Sequence, residues 1–445
     1  MKIKQFKDSP LAHYSYAIVS EGKMALVDPE RNPLKYYRYA EEHNAKIVAV
    51  FETHPHADFV SSHLQIHEQT GATIYASKLL GADYKHKGFD DGDSLKMGKV
   101  TFKAINTPGH SPDSITIVAE DGNKTALFTG DTLFIGDVGR PDLREKAGNM
   151  KAKRVDLAKK MYHTIQNKYN GLPDSAIVYP AHGAGSLCGK NMSTDSSSTL
   201  GQERKFNWAF RDQTEEQFVE TILKDQPFIP HYFGFNVDVN KNGADNVQKT
   251  KAAVKLSLLV EKIEDGVTVV DARDGDAYKK GHLPNSINIM ARGENDKYET
   301  WLGAIVKPEE PFYLVVESVT HVRELLERTA KIGYEKQLKG IITLSEKVSE
   351  TSDDFKLKDF KAHKEEYTIV DIRNNSEVAE KRIFENAIEI PLNELRERAS
   401  EVPADKPIVV HCAGGYRSSA GSSILENKFK STRIFDMSDD IKKFS

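Results

Sequence analysis

A short apolar run that ends in a cluster of metal-ligating residue types constrains this chain more than any other feature. Ile47 to Val50 reads as a buried strand. The stretch after it, Phe51-Glu52-Thr53-His54-Pro55-His56-Ala57-Asp58-Phe59, places two histidines and an aspartate close together. Imidazole and carboxylate groups leaving one strand end can converge on a divalent first-row metal. A lone histidine carries little meaning, so the weight rests on later strand ends. Thr107-Pro108-Gly109-His110-Ser111, Gly130-Asp131 and Pro180-Ala181-His182-Gly183 each follow a short apolar strand. Segments this far apart in sequence agree on one chemistry, which argues for one shared metal site.

Residues 1 to about 235 read as alternating strands and helices. Ser15 to Val19 and Lys23 to Asp28 form an expected hairpin with Glu21-Gly22 at the turn. Helices are expected over Pro33 to His43, Val60 to Gln69 (stopped by Gly71), Lys153 to Tyr169, Glu203 to Phe210 and Glu215 to Leu223. Further strands are expected over Thr73 to Ala76, Ser94 to Ile105, Ser114 to Val118, Thr125 to Thr129 and Ala176 to Tyr179. Asp195 to Thr199 is a polar tract that reads as loop, and 236–251 reads as a linker.

Beyond the linker the chain repeats itself. Val267-Thr268-Val269-Val270-Asp271-Ala272-Arg273 matches Tyr367-Thr368-Ile369-Val370-Asp371-Ile372-Arg373. Leu314-Val315-Val316-Glu317-Ser318 matches Ile408-Val409-Val410-His411-Cys412. Two copies of a small parallel α/β domain are expected, over 252–345 and 355–445.

Length, charge and cysteine usage exclude several classes. A chain of 445 residues suits two to four domains. The formal charge of -4 favours neither nucleic acid nor an acidic membrane surface. No apolar run approaches the ~18 residues of a membrane span, and Met1 to Pro10 lacks the core of an export signal. Cys188 and Cys412 cannot make a disulfide framework, so a cytoplasmic setting is expected and each thiol is weighed for chemistry.

The ordered H-x-H-x-D, P-G-H-S, G-D and A-H-G elements of residues 1–235 resemble the metallo-β-lactamase superfamily, an αββα sandwich with metal at one edge of its packed sheets. Hydrolases of that superfamily carry a further His after the Asp, and here Phe59 stands. A phenyl ring cannot ligate metal, so a two-metal site with a bridging hydroxide loses a ligand. Two His and one carboxylate with open positions match the facial triad of non-haem iron oxygenases. The subgroup resembled is the persulfide dioxygenases, which implies one Fe(II) per chain on His54, His110 and Asp131. His56, Asp58 and His182 then stand behind the ligands and orient them. Thr132 to Asp142 follows Asp131 as in that subgroup, and Arg140 is read as a contact to an anionic group of the thiol substrate. Gly183-Ala184 replaces the Asp-Tyr usual in glutathione-using members. Cys188 is read either as a small buried residue or as a thiol that holds or relays sulfane sulfur.

Val409 to Ala420 carries the second site. An apolar strand ends at Cys412, a Gly-rich loop follows, and a helix begins near Ser418. Backbone N–H groups of Ala413, Gly414, Gly415, Tyr416 and Ser418 can cradle an anion, and Arg417 adds positive potential that favours a thiolate. This resembles the active loop of rhodaneses, with Cys412 as sulfur carrier and Asp371-Ile372-Arg373 as the preceding strand end. The first copy keeps the frame, including His282 to Ile289, but has Ser318 in place of the cysteine. It reads as an inactive rhodanese for packing or oligomerisation.

The whole order resembles bacterial persulfide dioxygenase–sulfurtransferase fusions. That implies oxidation of a low-molecular-weight thiol persulfide by O2 to sulfite, and transfer of a sulfane sulfur from Cys412 to sulfite, giving thiosulfate. The thiol could be coenzyme A, bacillithiol, cysteine or glutathione, and the resemblance implies a homo-oligomer. The rivals are a glyoxalase-II-like thioester hydrolase with two zinc ions and a non-enzymatic sulfane-sulfur carrier. Metal content and oxygen uptake separate the three.

Overall fold

The computed structural model describes residues 1–143, 154–257, 263–344, 348 and 350–444. Lys153, Ser345 and Ser445, at the ends of an expected helix and of the two expected repeats, lie outside the described residues. The chain divides into two compact units, Met1–Thr250 with Ala330–Gly333, and Lys251–Thr329 with Tyr334–Ser445.

The first unit is built on two six-stranded sheets. One runs Lys2–Asp8, His13–Ser20, Lys23–Val27, Lys46–Phe51, Thr73–Ala76, Lys87–Gly88 in spatial order. The expected hairpin is present, and Glu21 (φ 49°) and Gly22 (φ 70°) both take the left-handed backbone of a type I′ turn. Lys46–Phe51 is paired in parallel on both sides, which suits its unbroken apolar sequence. The other sheet runs Ser198–Thr199, Ile177–Pro180, Lys124–Gly130, Ile115–Asp121, Val100–Asn106, Ser94–Met97. One buried core, containing Tyr16, Phe51, Phe102, Ile117 and Phe128, joins the two inner faces. Tyr36, Tyr39 and Ala40 of the helix Leu34–Glu42 pack on the outside of the first sheet. Leu157 is buried in the helix Arg154–His163, and Phe218 and Ile222 of the helix Glu215–Leu223 pack on the second. The αββα sandwich follows directly from this layering.

Several elements differ from the sequence reading, each for a local reason. The helix expected from Val60 begins at His63, because Ser61 donates its N–H to Asn240 Oδ1 and its hydroxyl to Glu52. The helix expected to Tyr169 changes at Thr164 to a π turn, Thr164–Lys168, where the Thr164 hydroxyl reaches the Pro108 carbonyl. Such single π turns are common beside functional sites. Ser198–Thr199, expected in a loop, pairs with Ile177 and Val178. The largest difference is in 236–251. The helix Tyr232–Asn242 crosses the expected linker, with Asn236, Asn240 and Lys241 buried, and the helix Val247–Ala252 follows. Its polar residues read as solvated chain, yet Asn240 faces inward and bonds the backbone of His56, Phe59 and Ser61.

The second unit holds two parallel sheets. Their orders are Leu256–Ser257, Leu338–Thr343, Phe312–Val316, Thr268–Asp271, Ser286–Asn288, and Ile388–Glu389, Thr368–Asp371, Ile408–His411, Ile434–Asp436. The internal repeat is visible in detail. Arg273 forks back onto Asp271 with a 2.6 Å contact, and Arg373 does the same onto Asp371.

Candidate metal centre and sulfur-transfer loop

His54, His110 and Asp131 come together from three separate strand ends. One ligand atom from each lies within 4.8 Å of the others, and all three residues are buried. Nε2 of His54 is 3.7 Å, and Nε2 of His110 3.5 Å, from Asp131 Oδ2. The other nitrogen of each ring is committed. Thr53 donates its hydroxyl to Asp28 Oδ2 (2.8 Å) and so accepts from His54 Nδ1–H (3.0 Å). His110 Nδ1–H donates to the Arg140 carbonyl at 2.9 Å. Both rings therefore hold the tautomer that leaves an Nε2 lone pair pointing inward. His54 Nε2 and Asp131 Oδ2 are buried without a hydrogen-bond partner. Orphaned acceptors facing one point are costly unless a cation sits there, so the donor set fits one divalent metal.

The electrostatics agree. Burial, then the neighbouring His56, pushes His54 well below the usual imidazole range. Burial opposes ionisation of Asp131, but His182, His54 and His110 outweigh it and hold the carboxyl well below its ordinary range. Close packing secures the geometry. A Cβ on Gly139 would stand 1.9 Å from the Asp131 carbonyl oxygen, and one on Gly130 (φ +54°) would meet the Thr53 hydroxyl.

The residues expected behind the ligands separate into two groups. His56 Nε2 turns to Asp28 Oδ1 at 3.1 Å, in a buried cluster with Glu52. Glu52 is pushed up to about 8 by burial and by Asp28. His182 bridges Asp131 Oδ1 and Asp58 Oδ2, each at 2.7 Å. Cys188 is buried with Asp58 and His182, and its thiol is pushed up by burial, then by Asp131 and Asp58. Phe59 stacks on His13 (4.0 Å) and His56 (4.4 Å). Arg140 departs from its expected role. Its guanidinium is buried, forks onto Asp142 with two 2.6 Å bonds and reaches the Leu187 carbonyl, so it ties two loops together and presents no free charge to a ligand.

Sequence reasoning missed Asp28, Thr53, His13 and Asn240. Asp28 ends a strand just before a proline, the same signal that marked the ligands. Asn240 gave no such signal. Its amide donates to the carbonyls of His56 and Phe59 (2.8 Å each), while its Oδ1 accepts from Ser61 N–H. It fastens the whole metal loop.

Strand Ile408–His411 ends at Cys412, Gly415 takes φ 93°, and the helix, expected from about Ser418, begins two residues earlier and spans Tyr416–Lys428. The Gly415 N–H points at Cys412 Sγ at 3.2 Å. A side chain at Gly415 would strike the Ser438 backbone at 2.8 Å. Ala413 and Gly414 are exposed, and Ser418 donates to the Gly415 carbonyl. Arg417 reaches the Cys412 thiol and forks onto Glu377 with two 2.6 Å bonds. The first repeat adds to this site: Tyr416 donates to the Met290 carbonyl (2.7 Å), and the Arg417 guanidinium lies 6.0 Å from the Trp301 ring centre. Met290 and Arg292 share with Gly414, Gly415 and Tyr416 the wall of a cavity of about 340 Å3. In the first repeat Ser318 instead bonds Thr320 (2.6 Å) and His321 (3.0 Å) in an exposed turn.

The comparisons with known proteins divide along the same lines. Residues 8–182 match the metallo-beta-lactamase superfamily, and residues 256–340 and 356–445 match the rhodanese-like domain. The chain is 29% identical to persulfide dioxygenase ETHE1, mitochondrial, of Bos taurus, over 48% of this chain and 77% of that protein. It is 30% identical to a hydroxyacylglutathione hydrolase of Dictyostelium discoideum, over 46% of this chain and 74% of that protein. A crystal structure of a metallo-beta-lactamase from Staphylococcus aureus subsp. aureus COL matches with a TM-score of 0.70 and 31% identity, over 77% of this chain and 99% of that one. The chain belongs to the metallo-beta-lactamase superfamily and continues into two rhodanese-like domains, the build of a persulfide dioxygenase fused to a rhodanese.

Proposed function

We propose that the chain oxidises a low-molecular-weight thiol persulfide to sulfite and passes a sulfane sulfur through Cys412 to sulfite, giving thiosulfate. The observation that carries this reading is the buried convergence of His54, His110 and Asp131 on one point, in a chain that also holds a rhodanese-type cysteine loop. Fe(II) held by His54 Nε2, His110 Nε2 and Asp131 Oδ2 would supply the redox chemistry that lets dioxygen react with the persulfide. The balanced reaction is RSSH + O2 + H2O giving RSH, sulfite and two protons.

The chain's own part is positioning. Thr53 and the Arg140 carbonyl fix the two histidine tautomers, and His182 fixes the Asp131 carboxylate. At the second site the Cys412 thiolate attacks the outer sulfur of a persulfide. The S–S bond breaks, RS⁻ leaves, and Cys412 carries the sulfur. Sulfite then attacks that outer sulfur, the new S–S bond breaks, and thiosulfate departs. Gly415 N–H and Arg417 face the charge that moves through this loop. Consuming sulfite in the same chain that makes it is the advantage of the fusion.

A hydrolytic reading has the likeness to hydroxyacylglutathione hydrolase in its favour. Phe59 weighs against it, since its ring packs between two histidines where a metal-binding imidazole is required. The test is product analysis with coenzyme A persulfide. Wild type is expected to give thiosulfate, Cys412→Ser mainly sulfite, and His110→Ala no oxygen uptake. Thiosulfate still dominating the initial products of Cys412→Ser would refute the coupling.

A further inference from the structure

The helix that follows the Cys412 loop is fastened along its length to the first repeat. Ser286–Asn288 is an edge strand of the five-stranded sheet, paired on one side only, with Thr268–Asp271. The outward N–H and C=O groups of such a strand need other partners. Side chains of the helix Tyr416–Lys428 supply them. The Asn288 N–H donates to Ser423 Oγ (3.0 Å), and Asn427 Nδ2 donates to the Ser286 carbonyl (2.9 Å). Ser419 donates its hydroxyl to Asn288 Oδ1, and Tyr416 donates to the Met290 carbonyl (2.7 Å). Tyr416, Ser419, Ser423 and Asn427 are spaced three, four and four apart, so they share one helix face. Their partners Ser286, Asn288 and Met290 are spaced by two, the period of one side of an extended chain. Asn288, Ser419 and Ser423 are all buried. Asn288 is held firmly from its own side, because its Nδ2 donates to the carbonyls of Asp271 and Arg273 (2.9 Å each).

We propose that Asn288 is a positioning residue for sulfur transfer: through Ser419 and Ser423 it sets the place of the Cys412 helix, and with it the groups that face the sulfur. This rests on the reading of Cys412 as the sulfur carrier. The helix begins directly after Gly415, whose N–H lies 3.2 Å from Cys412 Sγ, and Arg417 in its first turn reaches the same thiol. A slide or tilt of the helix moves both groups off the sulfur together. Another face of the helix closes on its own sheet, where a Cβ on Gly421 would stand 2.7 Å from the Ile372 side chain and 3.0 Å from that of Val410. Ser418 to Ser423 holds only Ser, Ala and Gly, which lets the helix lie close on both sides. Packing against its own sheet leaves the helix free to slide along its axis, and the hydrogen bonds to Ser286, Asn288 and Met290 stop that slide. The first repeat has Ser318 in place of a thiol, yet its edge strand fixes the register of the loop that has one. Asn288 touches neither the sulfur nor the donor, so its loss is expected to slow the attack on sulfur and leave donor binding nearly unchanged.

The test is thiocyanate formation from coenzyme A persulfide and cyanide by full-length protein under nitrogen, where the iron site has no dioxygen to use. Asn288→Ala, Ser419→Ala and the double variant form a cycle, and Ser423→Ala removes the second partner of Asn288. The three serine-to-alanine and double variants keep the helix, since Ala favours it. In Asn288→Ala and in Ser419→Ala, kcat is expected to fall about tenfold, with KM within about twofold of wild type. The double variant is expected to be no slower than about tenfold, because both changes break one bond, whereas independent losses would multiply to about a hundredfold. Ser423→Ala is expected to slow kcat at least about threefold, again at constant KM. Losses that multiply in the double variant, a rise in KM that accounts for the loss, or a kcat within about twofold of wild type in Ser419→Ala and Ser423→Ala would each overturn the assignment while the sulfur-transfer reading stands. Absence of thiocyanate from wild type would overturn that reading, and this assignment with it.

Discussion

Asn240→Leu is the substitution that best isolates what holds the metal loop in place. The side chain is 2% exposed and makes three bonds to loop backbone: to the His56 carbonyl, to the Phe59 carbonyl, and from Ser61 N–H, each at 2.8 Å. Leu is similar in volume but pairs with none of them, so two carbonyls and one N–H are left orphaned. At about 1 kcal/mol per net bond, and more for groups that stay buried, the cost is roughly 3–5 kcal/mol. In a unit of this size that corresponds to a fall in midpoint of about 6–20 °C. The assay is thermal melting of metal-free protein, paired with Fe(II) affinity measured anaerobically on the folded variant. Affinity is expected to fall about 10–100-fold, because the loop that carries His54 loses its fixed shape. A midpoint shift under 2 °C together with unchanged Fe(II) affinity would refute the assignment of Asn240 as the fastener of this loop.

Three further outcomes follow from other parts of the structure. Gly139→Ala puts a Cβ 1.9 Å from the Asp131 carbonyl oxygen, which cannot yield; Fe(II) binding should drop at least about tenfold, measured by anaerobic titration, while Cys412 sulfur transfer continues. Trp301→Leu removes the ring beneath Arg417, a contact worth about 0.5–2 kcal/mol; sulfur transfer from persulfide to cyanide should slow several-fold with oxygen uptake unaffected, and an unchanged rate contradicts the role given to the first repeat. Glu426 is pushed up by burial from 4.5 to about 7. Between those values the native chain keeps a proton that the unfolded chain has lost, so stability falls as pH rises through the window and is level above it. Glu426→Gln should remove that slope and gain about 2 kcal/mol at pH 8, discounted for its partial exposure, in urea melts at pH 4.5 and 8.

The candidate centre was legible because its chemistry sits in unusual residue types at strand ends. His54, His110, Asp131, His182 and Cys412 needed no contact map. The αββα layering and the repeated parallel sheets were legible from apolar periodicity and from the two D-x-R segments. What escaped was set by long-range contacts between ordinary residues. The helix Tyr232–Asn242 looks like linker because its inward residues are polar, and it bonds to a loop about 180 residues earlier. Arg140 carries charge in a motif, and only the structure reveals that Asp142 already consumes it. Cys188 stands six positions past His182, yet its grouping with Asp58 depends on two distant loops closing on each other. Phe59 was read as a missing ligand. Its packing on His13 adds a physical reason why that position is filled with a ring.

The most direct test of the account is the stoichiometry of oxygen consumed per persulfide by iron-loaded protein. Full-length chain reconstituted anaerobically with one Fe(II) is mixed with a defined low-molecular-weight thiol persulfide in an oxygen electrode, using Cys412→Ser so that sulfite accumulates. One O2 consumed and one sulfite formed per persulfide is the expected result. No oxygen uptake, alongside thioester hydrolysis that requires two zinc ions per chain, would contradict it.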